Sequence, residues 1–408
     1  MEQQELIPHL FRTEFRKITA VLCKLFGMEH IETAEDIASE TFLSALETWT
    51  YKGVPKNPTA WLYTVAKNKA SNYFNRNKLF TGKIAPQLKY TAPGSDEIAI
   101  DWSDKNITDS QLQMLFAICH PSISTEAQIG LSLRILCGFG IDEIATAFLT
   151  NRETISKRLY RAKEKLRVEK IGVTMPGENE INQRLDTVLL TLYLLFNEGY
   201  YSESRDTIMR RELCTEAIRL TYLLIENEQT NQPAVNALLA LMCFHASRFA
   251  ARENENGEII LYHDQDETLW DYELISKGGY FLHQASKGNK ISKYHLEAGI
   301  AYWHTIKADT TEKWSAILQL FNQLLQVEYS PIAALNRTYA LSKVKGKEAA
   351  ITEAEKLNLT GNHYYFTLLG ELYSNINTHQ AKTNFQQALS LAKTLTDKQT
   401  IQKKIDSL

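Results

Sequence analysis

The sequence predicts an all-α protein: two small helical domains, the second containing a helix-turn-helix, followed by a long domain of repeated helix pairs. Three observations predict it. Apolar residues recur at helical spacing through most of the 408 residues. Proline, glycine and asparagine interrupt that pattern at intervals suited to short helices. Toward the C-terminus, core-type residues recur 34 positions apart. A chain of this length exceeds what one core organises, so several domains are expected.

Leu10, Phe11, Phe15, Ile18, Val21, Leu22, Leu25 and Phe26 mark a first helix, and Ile37, Thr41, Phe42, Ala45, Leu46 and Trp49 a second. Gly53, Pro55 and Pro58 break the pattern. Thr59 is then placed to cap a third helix carrying Trp61, Leu62, Val65, Ala66, Ala70 and Tyr73. These helices make a first domain, 1–78. Residues 79–108 lose periodicity, contain Pro86, Pro93 and Gly94, and carry Asp96, Glu97, Asp101 and Asp104, the composition of an acidic linker. Leu112 to Cys119, Thr125 to Cys137, Ile141 to Leu149 and Arg152 to Lys170 read as four helices of a second domain, 109–172, punctuated by Gly138, Gly140 and Asn151. Pro176 and Gly177 mark the next boundary, and the extension, 173–408, reads as helical almost throughout. Within it Leu335 and Leu369, Tyr339 and Tyr373, Ile351 and Phe385, and Ala354 and Ala388 keep the 34-residue spacing of tetratricopeptide helix pairs. Ile317 and Leu320 continue two of these series one repeat earlier, so the repeats are clearest from about residue 314.

Charge is sorted locally although the formal net charge is only −3, a value that excludes a uniformly basic coat. Glu29, Glu32, Glu35, Asp36, Glu40 and Glu47 fall where no Lys or Arg occurs between Lys24 and Lys52. From Thr48 to Ser95 the sign reverses: Lys52, Lys56, Lys67, Lys69, Arg76, Lys78, Lys83 and Lys89 occur with no acid. Cys23, Cys119, Cys137, Cys214 and Cys243 form no C-x-x-C pair, so neither a disulfide framework nor a zinc knuckle is indicated. The acidic start lacks the basic and apolar segments of a signal peptide. The apolar stretches Val188 to Phe196 and Ala237 to Phe244 are too short to span a bilayer. A cytoplasmic protein without a membrane partner is expected.

Ile141 to Leu149, a short turn, and Arg152 onward have the pattern of a helix-turn-helix packed through Ile144, Ala145, Phe148, Ile155 and Leu159. From Arg152 to Lys170 the basic residues Arg152, Lys157, Arg158, Arg161, Lys163, Lys165, Arg167 and Lys170 outnumber Glu153, Glu164 and Glu169. Such a helix displaces counterions from phosphates, while polar residues in its first turns reach base edges in the major groove. Asn151, Arg152, Glu153, Thr154, Ser156, Lys157, Arg158, Arg161 and Lys163 are the candidate contacts. The competing reading is an amphipathic helix with a solvated basic face.

Two basic helical modules joined by an acidic linker, the first bearing an acidic helix, resemble the sigma-two and sigma-four domains of extracytoplasmic-function (ECF) sigma factors of RNA polymerase. Ala34 to Leu46 looks like the family's polymerase-docking helix and Pro58 to Asn68 like its promoter-melting helix. Leu159-Tyr160-Arg161-Ala162-Lys163-Glu164-Lys165-Leu166-Arg167 is another hallmark. The resemblance implies core RNA polymerase and promoter DNA as partners, and no cofactor, metal or catalysis. Glu35, Asp36 and Glu40, with Phe42 and Leu43, would dock on the polymerase, charges setting register and apolar groups supplying burial. Lys56, Trp61, Tyr63, Lys67, Asn68, Asn72, Tyr73 and Arg76 would meet the minus-ten element, whose unpaired bases need aromatic and amide surfaces with cations for the backbone. Trp61 and Tyr63 face different sides of one helix, so at least one of them packs inward. The basic helix would take the minus-thirty-five element. Asp109-Ser110-Gln111-Leu112, Asn197-Glu198-Gly199-Tyr200 and Tyr262-His263-Asp264-Gln265-Asp266 with Trp270 resemble the subgroup with a C-terminal tetratricopeptide-like extension. That extension is expected to receive a peptide, protein or small-molecule signal and to regulate the sigma half.

The alternative is a helix-turn-helix regulator fused to a repeat sensor, binding no polymerase. It leaves the paired acidic and acid-free segments unexplained. His263, Asp264, Asp266 and Glu267, with His245, have a metal-binding composition but match no standard loop, and a hydrogen-bonded turn is the expected reading. Gly199 is expected to end a helix as a left-handed cap.

Overall fold

The computed structural model describes residues 3–78, 99–200, 207–252, 260 and 262–408, and every regular element among them is helical. The chain divides into two compact units, Met1–Asn231 and Gln232–Leu408.

In the first unit, α1 (Gln3–Phe26) and α2 (Ile31–Lys52) are joined through a 3-10 turn entered at Gly27, whose φ of +90° suits only glycine without strain. α3 (Pro58–Lys78) completes the module around Phe15, Ile18, Leu22, Phe42, Trp49, Leu62 and Ala66, all buried. Asn57, rather than Thr59, caps α3: its Oδ1 accepts the Ala60 N–H at 3.0 Å and its carbonyl the Trp61 N–H at 3.2 Å. Pro58 suits the first helical position because its missing N–H would be unsatisfied there in any case.

Most of the expected linker, 79–98, lies outside the described residues. Its last part is folded, because Ser103 caps α4 (Asp104–Ile118) by accepting the Asn106 N–H at 3.3 Å. α5 (Thr125–Leu131) runs into a π-helical turn, Ser132–Leu136, closed by the Cys137 N–H on the Ser132 carbonyl at 3.1 Å. α6 (Ile141–Ala147) and α7 (Arg152–Val168) follow. Ile144, Ala145, Ile155 and Leu159 are buried between them and their neighbours, with Phe148 half-buried.

α8 (Glu178–Tyr200) and α9 (Thr207–Glu226) belong to the same unit, although the sequence places their start beyond a domain boundary. Arg184 Nη2 donates to the Phe116 carbonyl at 2.6 Å, Thr191 Oγ1 to Gln128 Oε1 at 2.8 Å, and Arg219 Nη2 to the Leu136 carbonyl at 2.6 Å. Pro176 and Gly177 mark a turn between packed helices. Gly199 is not a left-handed cap: α8 continues through it to Tyr200, and its φ is not positive. Packing of α9 along α8 outweighs the roughly 1 kcal/mol that glycine costs inside a helix. The neighbouring Glu198 is half-buried, and that burial pushes its carboxyl pKa up.

The second unit stacks α10 (Pro233–Ala246), α11 (Phe249–Arg252), α12 (Tyr272–Ala285), α13 (Lys293–Trp303), α14 (Thr311–Val327), α15 (Pro331–Lys345), α16 (Lys347–Leu357), α17 (His363–Tyr373), α18 (Thr378–Leu391) and α19 (Leu395–Asp406). Ile317, Ile351 and Phe385 occupy α14, α16 and α18, and Leu335 and Leu369 occupy α15 and α17, all buried. The 34-residue spacing thus follows core positions of alternate helices. Ser330-Pro331 opens α15 as cap and first-turn proline. His263, Asp264, Asp266 and Glu267 are exposed, and Asp266 Oδ1 accepts the Thr268 N–H at 2.9 Å in a capped turn. The anchored residue of that segment is Tyr262, whose hydroxyl donates to the Ile306 carbonyl at 3.1 Å and accepts from the buried Lys313 at 2.9 Å. His245 lies apart, half-buried in α10, where desolvation depresses its pKa well below the usual imidazole value.

All five cysteines are buried, and desolvation raises the Cys119 and Cys243 thiols to about 12. No helix among the described residues is long and apolar enough to cross a membrane.

A Cβ at Gly370 of α17 would lie 2.6 Å from the ring of the fully buried Phe385 in α18. Gly370→Ala is therefore expected to cost about 1–3 kcal/mol in urea unfolding by overpacking. Gly361→Ala, with open space around it, should stay within about 0.5 kcal/mol of the parent.

Candidate functional site

The acidic helix α2 divides the five residues expected at one interface between two faces. Asp36, Glu40 and Leu43, at successive helical spacings, are exposed, Leu43 at 54%. Leu46, Glu32 and Glu47 extend this outward surface. Phe42 points inward at 3% exposure, its ring 5.0 Å from that of Phe11 in an edge-on contact, and is core. Glu35 shares that inward face and is 6% exposed.

Glu35 is held by two cations from the second module. Arg134 Nε, from the π-helical turn, donates to its Oε1 at 2.9 Å, and Lys163 Nζ, from α7, is bonded to its Oε2. Arg134 also donates to the Phe139 carbonyl at 3.2 Å and lies over the Phe15 ring. In this conformation Glu35 is not on a docking surface, nor Lys163 on a DNA-reading one. A carboxylate is retained in a poorly hydrated site only when paired and hydrogen-bonded, and here both oxygens are. The same field acts on Cys23, whose thiol pKa is raised by burial first and by Glu35 second.

On α3, Asn68, Asn72 and Arg76 form an exposed stripe, with exposed Lys56 in the preceding loop and Lys67 half-buried beside it. The aromatics are engaged internally. The Trp61 ring meets Trp49 edge-on at 5.4 Å, and Tyr73 contacts Phe26 and His30. Tyr63 donates its hydroxyl to Glu14 Oε2 at 2.6 Å and stacks on Trp102 at 4.7 Å, so its phenol pKa is raised by burial and then by Glu14. Both Trp61 and Tyr63 are half-buried, and neither projects freely.

On α7, Asn151 is the N-cap, its Oδ1 accepting the Thr154 N–H at 2.8 Å. Arg152 pairs with Asp142 at 3.1 Å and Glu153 with Lys157 at 2.6 Å, both pairs exposed and readily exchanged for other partners. Thr154 and Arg161 are exposed, Ser156 is half-buried, and Arg158 lies over the Phe148 ring at 6.0 Å. Asn151, Arg152, Glu153, Thr154, Lys157 and Arg161 therefore form the accessible part of the expected reading surface.

Sequence reasoning passed over the side chains that join the modules. Arg134 is the lone charge in the run Ile129 to Gly140, and that isolation was the available signal. Arg12 donates to Glu143 of α6 at 3.0 Å and is also bonded to Glu212 of α9. Arg16 Nη1 donates to both oxygens of Glu216 at 2.7 and 2.8 Å. Nothing local in the sequence marks these pairs.

The family model for sigma-70 region 2 matches residues 10–80, the span of α1 to α3, and a family of unknown function, DUF6596, matches residues 184–286. The chain thus carries a sigma-70 region 2 domain in its N-terminal part, followed by a helical C-terminal region. It belongs to one family with "Uncharacterized protein R00370" of Rhizobium meliloti, to which it is 31% identical over 395 residues, covering 93% of this chain and 90% of that one. The ECF RNA polymerase sigma factor BldN of Streptomyces coelicolor is 29% identical over 137 residues, 32% of this chain and 48% of its own length. The RNA polymerase sigma-H factor of Pseudomonas aeruginosa is 27% identical over 180 residues, 40% of this chain and 91% of its own. No solved structure matches the chain.

Removing the Glu35 charge leaves Arg134 and Lys163 facing each other without an anion. Glu35→Gln should lower stability by about 3 kcal/mol in urea unfolding. Asp36→Asn on the neighbouring outward face should change it by less than about 0.5 kcal/mol.

Proposed function

We propose that this protein is an ECF-type sigma factor that binds core RNA polymerase, recognises promoter DNA and initiates transcription under the control of its own C-terminal helical extension. The observation that carries this reading is the region-2 match on α1 to α3, where an acidic and apolar outward face on α2 adjoins an acid-free face on α3. Asp36 and Glu40 set register on the polymerase, with Leu43 supplying the buried apolar contact. Lys56, Asn68, Asn72 and Arg76 approach the minus-ten element, and the half-buried Trp61, Tyr63, Lys67 and Tyr73 position or join that surface. α6 and α7 act as a helix-turn-helix on the minus-thirty-five element through Arg152, Thr154, Lys157 and Arg161, with Asn151, Glu153, Ser156 and Arg158 shaping the first turns. Glu35, Phe42 and Lys163 face inward in the structure and are left out of these contacts.

The second unit, with its repeated helix pairs, is the receiver for a peptide, protein or small-molecule signal. A regulator that binds DNA without polymerase explains α7 but gives no role to the outward face of α2.

Run-off transcription with core polymerase on the gene's own upstream DNA tests the reading. The parent should direct initiation from a defined start. Asp36→Lys with Glu40→Lys should weaken core binding at least about tenfold at unchanged thermal stability. Undiminished binding by that variant would remove the assignment. A chain ending at Asn231, which keeps the first compact unit, should initiate with altered level or response. Identical behaviour would remove the regulatory role.

A further inference from the structure

The first unit brings together two modules that a promoter would hold apart. Under the proposed reading, α3 serves the minus-ten element and α7 the minus-thirty-five element, about 25 base pairs away, or roughly 85 Å along the duplex. In the structure the two modules touch through Glu35, Arg134 and Lys163. Laid end to end, α3 and α7 from Arg152 to Lys163, with one helix spacing between them, reach only roughly 60 Å. The closed unit can therefore occupy one promoter element at a time.

α9 bridges the closed pair. Its Glu216 receives both bonds from Arg16 of α1, its Glu212 is bonded to Arg12 of α1, and its Arg219 donates to the Leu136 carbonyl of the second module as well as to Glu216 at 2.7 Å. Arg12 ties α1 to α6 through Glu143 as well. One face of one extension helix thus contacts both sigma modules. The Arg16 and Glu216 side chains are largely buried, where a two-oxygen arginine pair is screened little by solvent.

We infer that α9 is an internal latch: Glu212 and Glu216 hold α1, Arg219 holds the second module, and release of these bonds lets the two promoter-reading surfaces separate. The inference rests on the sigma-factor reading for its purpose, and on the observed bonds for its mechanism. Because polymerase and promoter select the open form, the cost of breaking the latch reduces apparent affinity for both.

The test uses the full chain with spin labels at S39C on α2 and Y160C on α7, both exposed positions, the native cysteines being buried. The parent should give one short distance. E212Q/E216Q should add a longer population and bind core polymerase about five- to tenfold more tightly. E212Q/E216Q should keep the parent's cooperative urea unfolding, which separates loss of the latch from loss of folding. Distances that coincide in parent and E212Q/E216Q, with core binding intact, overturn the latch and leave the sigma reading standing. A widened distance, together with failure of parent and variant alike to bind core polymerase, supports the latch and overturns the sigma reading.

Discussion

The contact between α2 and the second module turns on one buried carboxylate. Glu35 sits on the inward face of α2, where leaving it unpaired would cost several kcal/mol of lost hydration. Arg134 and Lys163 satisfy one oxygen each, and both come from sequence positions far removed from α2. Meeting that demand fixes the π-helical turn and the C-terminal half of α7 against the first module. A methylene-lined pocket at the same place would tolerate sliding; a three-centre charge cluster with directed hydrogen bonds does not.

α1 is the spine on which these constraints meet. Its apolar face, with Phe15, Ile18 and Leu22, builds the first core, while Arg12 and Arg16 on another side reach α6 and α9. Gly138, with φ of +76°, takes the left-handed conformation that other residues adopt only with strain, where the loop after the π turn passes the Arg12 backbone. The same helix therefore organises the sigma-70 region and receives the extension.

The extension serves two physical roles. α8 and α9 complete the first unit, whereas the helices from α10 onward form their own stack in which each helix buries its face against sequence neighbours. That division falls inside the DUF6596 match, 184–286, so the matched family spans helices of both units. The C-terminal region thus has α8 and α9 in contact with the helices of the first unit, while the helices from α10 onward form a unit of their own.

The sequence alone determined the all-helical class, the positions of most helices, the 34-residue register of the last repeats and the opposite charges of α2 and the segment after it. These are local properties: periodicity, caps and charge runs are written in neighbouring residues. It also marked Asp36, Glu40 and Leu43 as one group with Glu35 and Phe42, because composition does not record which side of a helix faces inward. Only tertiary packing decided that Glu35 and Lys163 meet each other, that Tyr63 rests on Trp102 and Glu14, that Gly199 stays helical, and that α8 and α9 join the first unit. Each of those outcomes depends on a partner distant in sequence, except at Gly199, where packing against α9 overrides a local preference for ending the helix.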